Sequence, residues 1–282
     1  MSDTSASLLS ARFSHSQTAQ DQISRVWLKS QTGQFRLSEK CGEHLGHSHY
    51  YLVEVGPGLF SGEEHRIDLE VTAGHRVSIT QQSATKVMPA LDSNFAVMEL
   101  ELTAKQGSSL LFLSEPTIML PSAALRSGTT IHVDGEARLL FTEIIGEPPD
   151  LKQRPGYPSV LSTQLQIFCD GSLEFCDSII IEETPAFSAR ECWQRVFAGS
   201  RASGSCYLVG YPYSLVASAI DAVGCMRSGD ETVCVSSSEP AANVSVVRAL
   251  APSAEMIKQY FHHFANVMNT NIQPTRGRNT LR

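Results

Sequence analysis

Within ten residues, Cys41-Gly-Glu-His-Leu-Gly-His-Ser-His-Tyr50 gathers a thiol, a carboxylate and three imidazoles. All are ligand types for a divalent metal. Catalytic zinc takes three protein ligands and structural zinc four. On a strand, His47 and His49 share a face and suit a pair of ligands. His44 and Cys41 lie in a glycine-broken stretch, and no second pair at ligand spacing accompanies them. The preferred reading is a solvated loop that leads into the strand His49-Tyr-Tyr-Leu-Val-Glu-Val55, with metal capture as the alternative. His262-His263 is a weaker signal, because neighbours on a helix point about 100° apart. It reads as a solvated helix edge.

Carboxylates offer a second chemistry. Glu63, Glu115 and Glu143 are candidates for the acid pair that a glycosidase uses, although a surface position is the default for any single glutamate. There is no GxSxG, no GxGxxG ahead of a helix and no Walker loop, which argues against those hydrolase and nucleotide-binding classes.

The chain that must position these groups has 282 residues and 42% apolar composition, enough to bury a core. A net charge of -7 argues against a dedicated nucleic-acid binder. No apolar run reaches membrane-spanning length, and the first residues do not read as a signal peptide. Seven cysteines, at 41, 169, 176, 192, 206, 225 and 234, form no CxxC. Free, mostly buried thiols in a cytoplasmic protein are therefore expected.

From about 23 to 212 the apolar period is two, with strand candidates every 8–15 residues. Asp134-Gly135 and Asp170-Gly171 read as tight hairpin turns. In the second, Cys169 faces Ser172 and Cys176 faces Leu165, so the two cysteines do not bridge. Two stretches switch to a helical period. Leu215, Val216, Ala219, Ile220, Val223 and Met226 share one face. Met256, Ile257, Tyr260, Phe261, Phe264, Val267 and Met268 share another. The expected organisation is a loose lead-in over 1–22, one β domain over 23–270 and a basic tail over 271–282, with a four-proline loop at 146–158. The helix 252–268 and the strands near 192–212 are expected partner-contact surfaces.

The glycine loop Gly56-Pro57-Gly58-Leu59-Phe60-Ser61-Gly62-Glu63 precedes two strands and the polar string Thr80-Gln81-Gln82-Ser83-Ala84-Thr85-Lys86. Glu115-Pro116, the strand around Glu143 and the closing Arg248-Ala-Leu-Ala251 with its helix follow in order. This order resembles the UreD family (UreH in some bacteria) of urease accessory proteins over roughly 25–270. The family's loop aspartate is Glu63 here, its triple-glycine loop is reduced, and 146–212 matches only loosely.

The resemblance implies a mainly β fold: a helically wound, β-solenoid-like stack of sheets with two helices in the C-terminal third. It also implies a scaffold without catalysis or a stably bound cofactor. That scaffold binds urease apoprotein and the accessory protein UreF, and through UreF the GTPase UreG. Nickel would pass through its interior in transit. Glu63 and Glu143 are the implied nickel contacts, with Glu115, His44, His47 and His49 as weaker ones. Gly56, Gly58, Gly62, Thr80, Gln82, Ser83 and Lys86 are implied to line or shape the passage. The competing reading is a β-solenoid enzyme that acts on carbohydrate through a carboxylate pair, but two tryptophans and 7% aromatics are thin for a sugar groove.

Overall fold

The computed structural model describes residues 6–15, 24–90, 93–146, 159–184, 186 and 189–272. Strands β1 (Ala6–His15) and β2 (Ser24–Thr32) come first, then the short β3 (Phe35–Leu37) and β4 (Gly42–His44). A winding section follows: β5 (His47–Glu54), β6 (Glu64–Val71), β7 (Arg76–Gln81), β8 (Thr85–Val87) and β9 (Ala96–Ala104). It continues through β10 (Ser109–Leu113), β11 (Thr117–Met119), β12 (Ala124–Val133), β13 (Arg138–Gly146) and β14 (Val160–Cys169). Next come β15 (Ser172–Glu182), α1 (Ala189–Val196), β16 (Ala202–Val209) and α2 (Tyr213–Val223). The last elements are β17 (Arg227–Ser228), β18 (Glu231–Thr232), β19 (Cys234–Ala241), β20 (Val244–Ala251) and α3 (Ala254–Ile272).

The winding section is a β-solenoid of about three turns. Its long strands alternate between an outer sheet, ordered β15-β14-β12-β9-β6-β1-β2, and a middle sheet, ordered β19-β20-β16-β13-β10-β7-β5-β3. Neighbours from successive coils run parallel, as in β6 with β9 and β7 with β10. Four-residue corners at 72–75, 105–108 and 134–137 carry the chain from the outer to the middle sheet, each with a positive-φ glycine: Gly74, Gly107 and Gly135. Corner backbones also bond between coils, Lys105 N to Val71 O at 2.9 Å and Asp134 N to Ala104 O at 3.0 Å.

This corrects one expectation. Asp134-Gly135 makes a corner and not a hairpin, because β12 and β13 belong to different sheets. Asp-Gly supplies the same positive φ to either turn, and burial of both flanking strands decides the partner. Asp170-Gly171 does close a hairpin, with Cys169 opposite Ser172. A register shift at Ile167/Phe168 places Cys176 opposite Gln166 and not Leu165. All seven cysteines are free.

The core lies between the sheets. Ile67, Leu69, Leu102 and Ile131 come from the outer sheet, and Val77, Ile79, Leu110 and Leu139 from the middle one. The middle sheet is also covered on its other face, where Leu111, Leu140, Cys206 and Leu208 pack against Ile257, Tyr260, Phe261 and Phe264 of α3. Neighbouring apolar residues such as Leu110 and Leu111 are therefore both buried, as parallel strands covered on two faces require. Each large α3 side chain buried there contributes roughly 1.5–3 kcal/mol. Solvent meets the outer sheet, where Arg12–Glu70 and Arg66–Glu101 pair at 2.8 Å.

Three further differences have physical reasons. The lead-in expected over 1–22 contains β1, whose Leu9, Ala11 and Phe13 are fully buried, and which pairs parallel with β6. Its polar composition hid an alternating apolar face. Helix α2 stops at Val223 before Met226, because Gly224 takes φ 66°. A third helix, α1, too short for a clear period, precedes β16. Most of the four-proline loop (147–158) and of the basic tail (273–282) lies outside the described residues.

Candidate functional site

The glycine loop and the polar string meet through backbone contacts. Leu59 N donates to Lys86 O at 2.8 Å, and Met88 N donates back to Leu59 O at 2.8 Å. Gly58 sits at φ 146°, and a Cβ there would fall 2.3 Å from Lys86 O. Only glycine lets the two segments approach this closely. Gly62 also has positive φ, 82°, with open space around it, while a Cβ on Gly56 would meet the Gln34 side chain.

Leu59 borders an internal cavity of about 70 Å³ between the sheets. Its polar lining includes Gln81, Thr85, Ser114, Glu115, Thr129 and Glu143. That volume holds about two waters at roughly 30 Å³ each. The groups are linked: Gln81 Nε2 donates to Thr85 Oγ1 at 2.8 Å, and Glu115 N donates to Gln81 Oε1 at 3.2 Å. Lys258 of α3 neutralises Glu115 at 3.1 Å.

Glu143 has a different setting. Burial, reinforced by the nearby Asp177 charge, pushes its pKa up to about 7, against the pull of Arg248. Asp177 accepts from the Tyr207 hydroxyl at 2.6 Å and pairs with an Arg248 guanidinium that also bonds Ser205. The cluster therefore joins Glu143 to Asp177, Tyr207 and Arg248 across the core. Glu54, at the end of β5, is likewise pushed by burial to about 7, beside Thr85 and Lys86.

Glu115 and Glu143 thus share one cavity, whereas Glu63 is not among its lining residues. Glu63 accepts from Phe60 N at 3.2 Å and lies 3.3 Å from His65 Nε2, in the turn that starts β6. In the polar string, Gln82, Ser83 and Lys86 are exposed and Thr80 is half-buried. Gln81 and Thr85 face inward, at 9% and 5% exposure. The expected segment reaches the cavity through the opposite strand parity. The sequence reading missed Gln81, Thr85, Glu54 and Asp177. Its available signal was the period-two pattern of β7, in which Val77, Ile79 and Gln81 fall on one face.

The histidine stretch forms β4 and the start of β5. Its His47 is buried, donates from Nδ1 to Leu45 O at 2.8 Å and accepts at Nε2 from Ser109 Oγ at 2.8 Å. Burial lowers its pKa to about 4, so both nitrogens are engaged in a neutral ring. The His44 and His49 rings lie tilted to one another with centroids 5.2 Å apart and share Ser78 Oγ, while Cys41 is exposed. Among the described residues no three His, Cys, Asp or Glu side chains are arranged to hold a metal ion. His262 is not a fully solvated edge residue: its Nε2 is shut off from solvent. No helix among the described residues is long and apolar enough to cross a membrane. The apolar stripe of α3, expected as a partner surface, is spent on the middle sheet. Large exposed apolar side chains occur instead at Trp27 and Leu28 of β2 and Leu173 and Ile180 of β15.

A family model described as UreD urease accessory protein matches residues 8–279. A urease accessory protein UreD from Lachnoclostridium phytofermentans is 26% identical over 130 residues, 46% of this chain and 47% of that protein. One from Bacillus cereus is 29% identical over 113 residues, 39% and 41% of the two chains. Urease accessory protein UreD 2 from a Synechococcus strain is 36% identical over 95 residues, 34% of each. The chain thus spans about half the length of these relatives or less. With the family model matched over nearly its whole length, this chain belongs to the UreD family of urease accessory proteins.

Proposed function

We propose that this chain is a non-catalytic scaffold in urease maturation that passes nickel, as cargo, through its interior. The observation that carries this reading is the cavity between the sheets, where Glu115 and Glu143 face the same space together with neutral oxygens. Clustered imidazoles and thiolates hold nickel tightly, whereas scattered carboxylates, amides and waters release it. A conduit needs the second kind of lining. The cavity's Thr85, Gln81, Glu115 and Glu143 supply it. Glu143, near its titration midpoint at neutral pH, exchanges a proton for an incoming cation at little cost.

A cavity of about 70 Å³ is too small for a sugar ring, which weighs against a carbohydrate enzyme that uses Glu115 and Glu143 as its acid pair. The family supports partners of the UreF and UreG types and urease apoprotein, and the exposed apolar side chains of β2 and β15 are the natural docking area. The test is urease activation in cells that carry wild-type chain, Glu143→Gln or Glu115→Gln, at equal levels of folded protein. Reduced activation with the variants is expected, and undiminished activation with both removes the passage from the account.

A further inference from the structure

A second, larger cavity lies at the other face of the middle sheet, apart from the one that Glu115 and Glu143 line. It measures about 610 Å³, within the range of small-molecule sites. Its floor is the row of residues at which the middle-sheet strands begin. Arg76 pairs in register with Ser109, and Ser109 with Arg138. Parallel strands lie about 4.8 Å apart, so the two arginine backbones are roughly 10 Å apart on one face. Ala265, Met268 and Asn269 of α3 form a wall.

The charges in this row lack counterions. Neither arginine has a carboxylate partner among the described residues. Arg76 makes one long contact, Nη2 to Asn269 Oδ1 at 3.4 Å, and Arg138 lies 5.9 Å from the centre of the Tyr211 ring. His47 beside them is neutral. The two acidic residues of the lining, Glu136 and Asp170, are exposed turn residues at the rim, and Asp170 Oδ1 is occupied by Gly135 N at 2.7 Å. Ser108, 2% exposed, also lines the cavity, and its hydroxyl has no hydrogen-bond partner among the described residues. Two like charges facing one space are unfavourable alone, and an orphaned buried hydroxyl adds to the cost. A bound oxyanion relieves both, since guanidinium groups present forked donors matched to phosphate and carboxylate.

We propose that this cavity binds a small oxyanion of the phosphate or carboxylate type, held between Arg76 and Arg138 with the Ser108 hydroxyl donating to it. Titration calorimetry of the full chain with pyrophosphate, and separately with citrate, tests the site. At least one anion binds, more weakly as salt rises, and the preference between them separates phosphate from carboxylate chemistry. Arg76→Gln and Arg138→Gln each weaken that binding by roughly tenfold, as the loss of a charge-assisted fork predicts. Arg76 is exposed, so its variant keeps the fold, which an unchanged melting curve verifies. Binding of neither anion, or an affinity unchanged in the Arg76→Gln protein, overturns the proposal.

Discussion

The Tyr207 hydroxyl donates to Asp177 Oδ2 at 2.6 Å, and this bond ties the middle sheet to the hairpin arm at the edge of the outer sheet. It fixes the Asp177 carboxylate near Glu143, where its charge adds to the burial that holds the Glu143 proton, while Arg248 opposes both. Tyr207→Phe removes the bond and leaves Asp177 with Arg248 alone. A loss of about 1–2 kcal/mol in urea unfolding is expected. No change in midpoint would mean that the bond does not tie the sheets.

Glu143 gives stability a defined pH dependence. Its ordinary value is 4.5 and its folded value about 7, so the folded state holds the proton more tightly. The stability that comes from the neutral acid is therefore complete below about 4.5 and is lost as pH rises towards 7. Gln mimics the protonated acid. Glu143→Gln should match wild type near pH 4 and exceed it at pH 8, by an amount on the order of 3 kcal/mol at most. Glu54 adds a slope of the same sign, so the quantity to read is the difference between variant and wild type. Parallel stability curves at all pH values would contradict the assigned shift.

Gly58→Ala combines positive φ with a clash against Lys86 O. A destabilisation of roughly 1–3 kcal/mol is expected, whereas Gly62→Ala, which meets no atom, carries only the backbone strain. Thermal melts of the two variants should rank in that order, and the reverse order would remove the close-approach argument.

The histidines separate by role. His47→Ala should destabilise the fold by about 1–3 kcal/mol, because it removes the buried ring's bonds to Leu45 O and Ser109 Oγ, and leave nickel uptake in equilibrium dialysis unchanged. His44→Ala with His49→Ala should have a small effect on both. Loss of most bound nickel in the double variant would instead make the Ser78 pair a capture site.

The sequence shows the strands, both long helices and the glycine loop, because period-two alternation, a switch to helical period and Gly-Pro-Gly are local signals. It does not show which strands pair. Asp134-Gly135 serves a corner as readily as a hairpin, and only coil stacking selects the corner. β1 escaped because three buried residues, Leu9, Ala11 and Phe13, are diluted by serines. The cavity lining is harder still. Gln81 and Gln82 are chemically identical neighbours, and strand parity alone turns one inward. Asp177 reaches Glu143 only because the bulge at Ile167/Phe168 shifts its arm by one residue, and no local pattern encodes that shift.

The most direct measurement is co-expression of the chain with urease apoprotein and the UreF-type accessory protein of the same organism, followed by affinity capture and sizing. The scaffold account predicts co-elution of all three in one defined species. A well-behaved monomer that leaves both partners in the flow-through would contradict it.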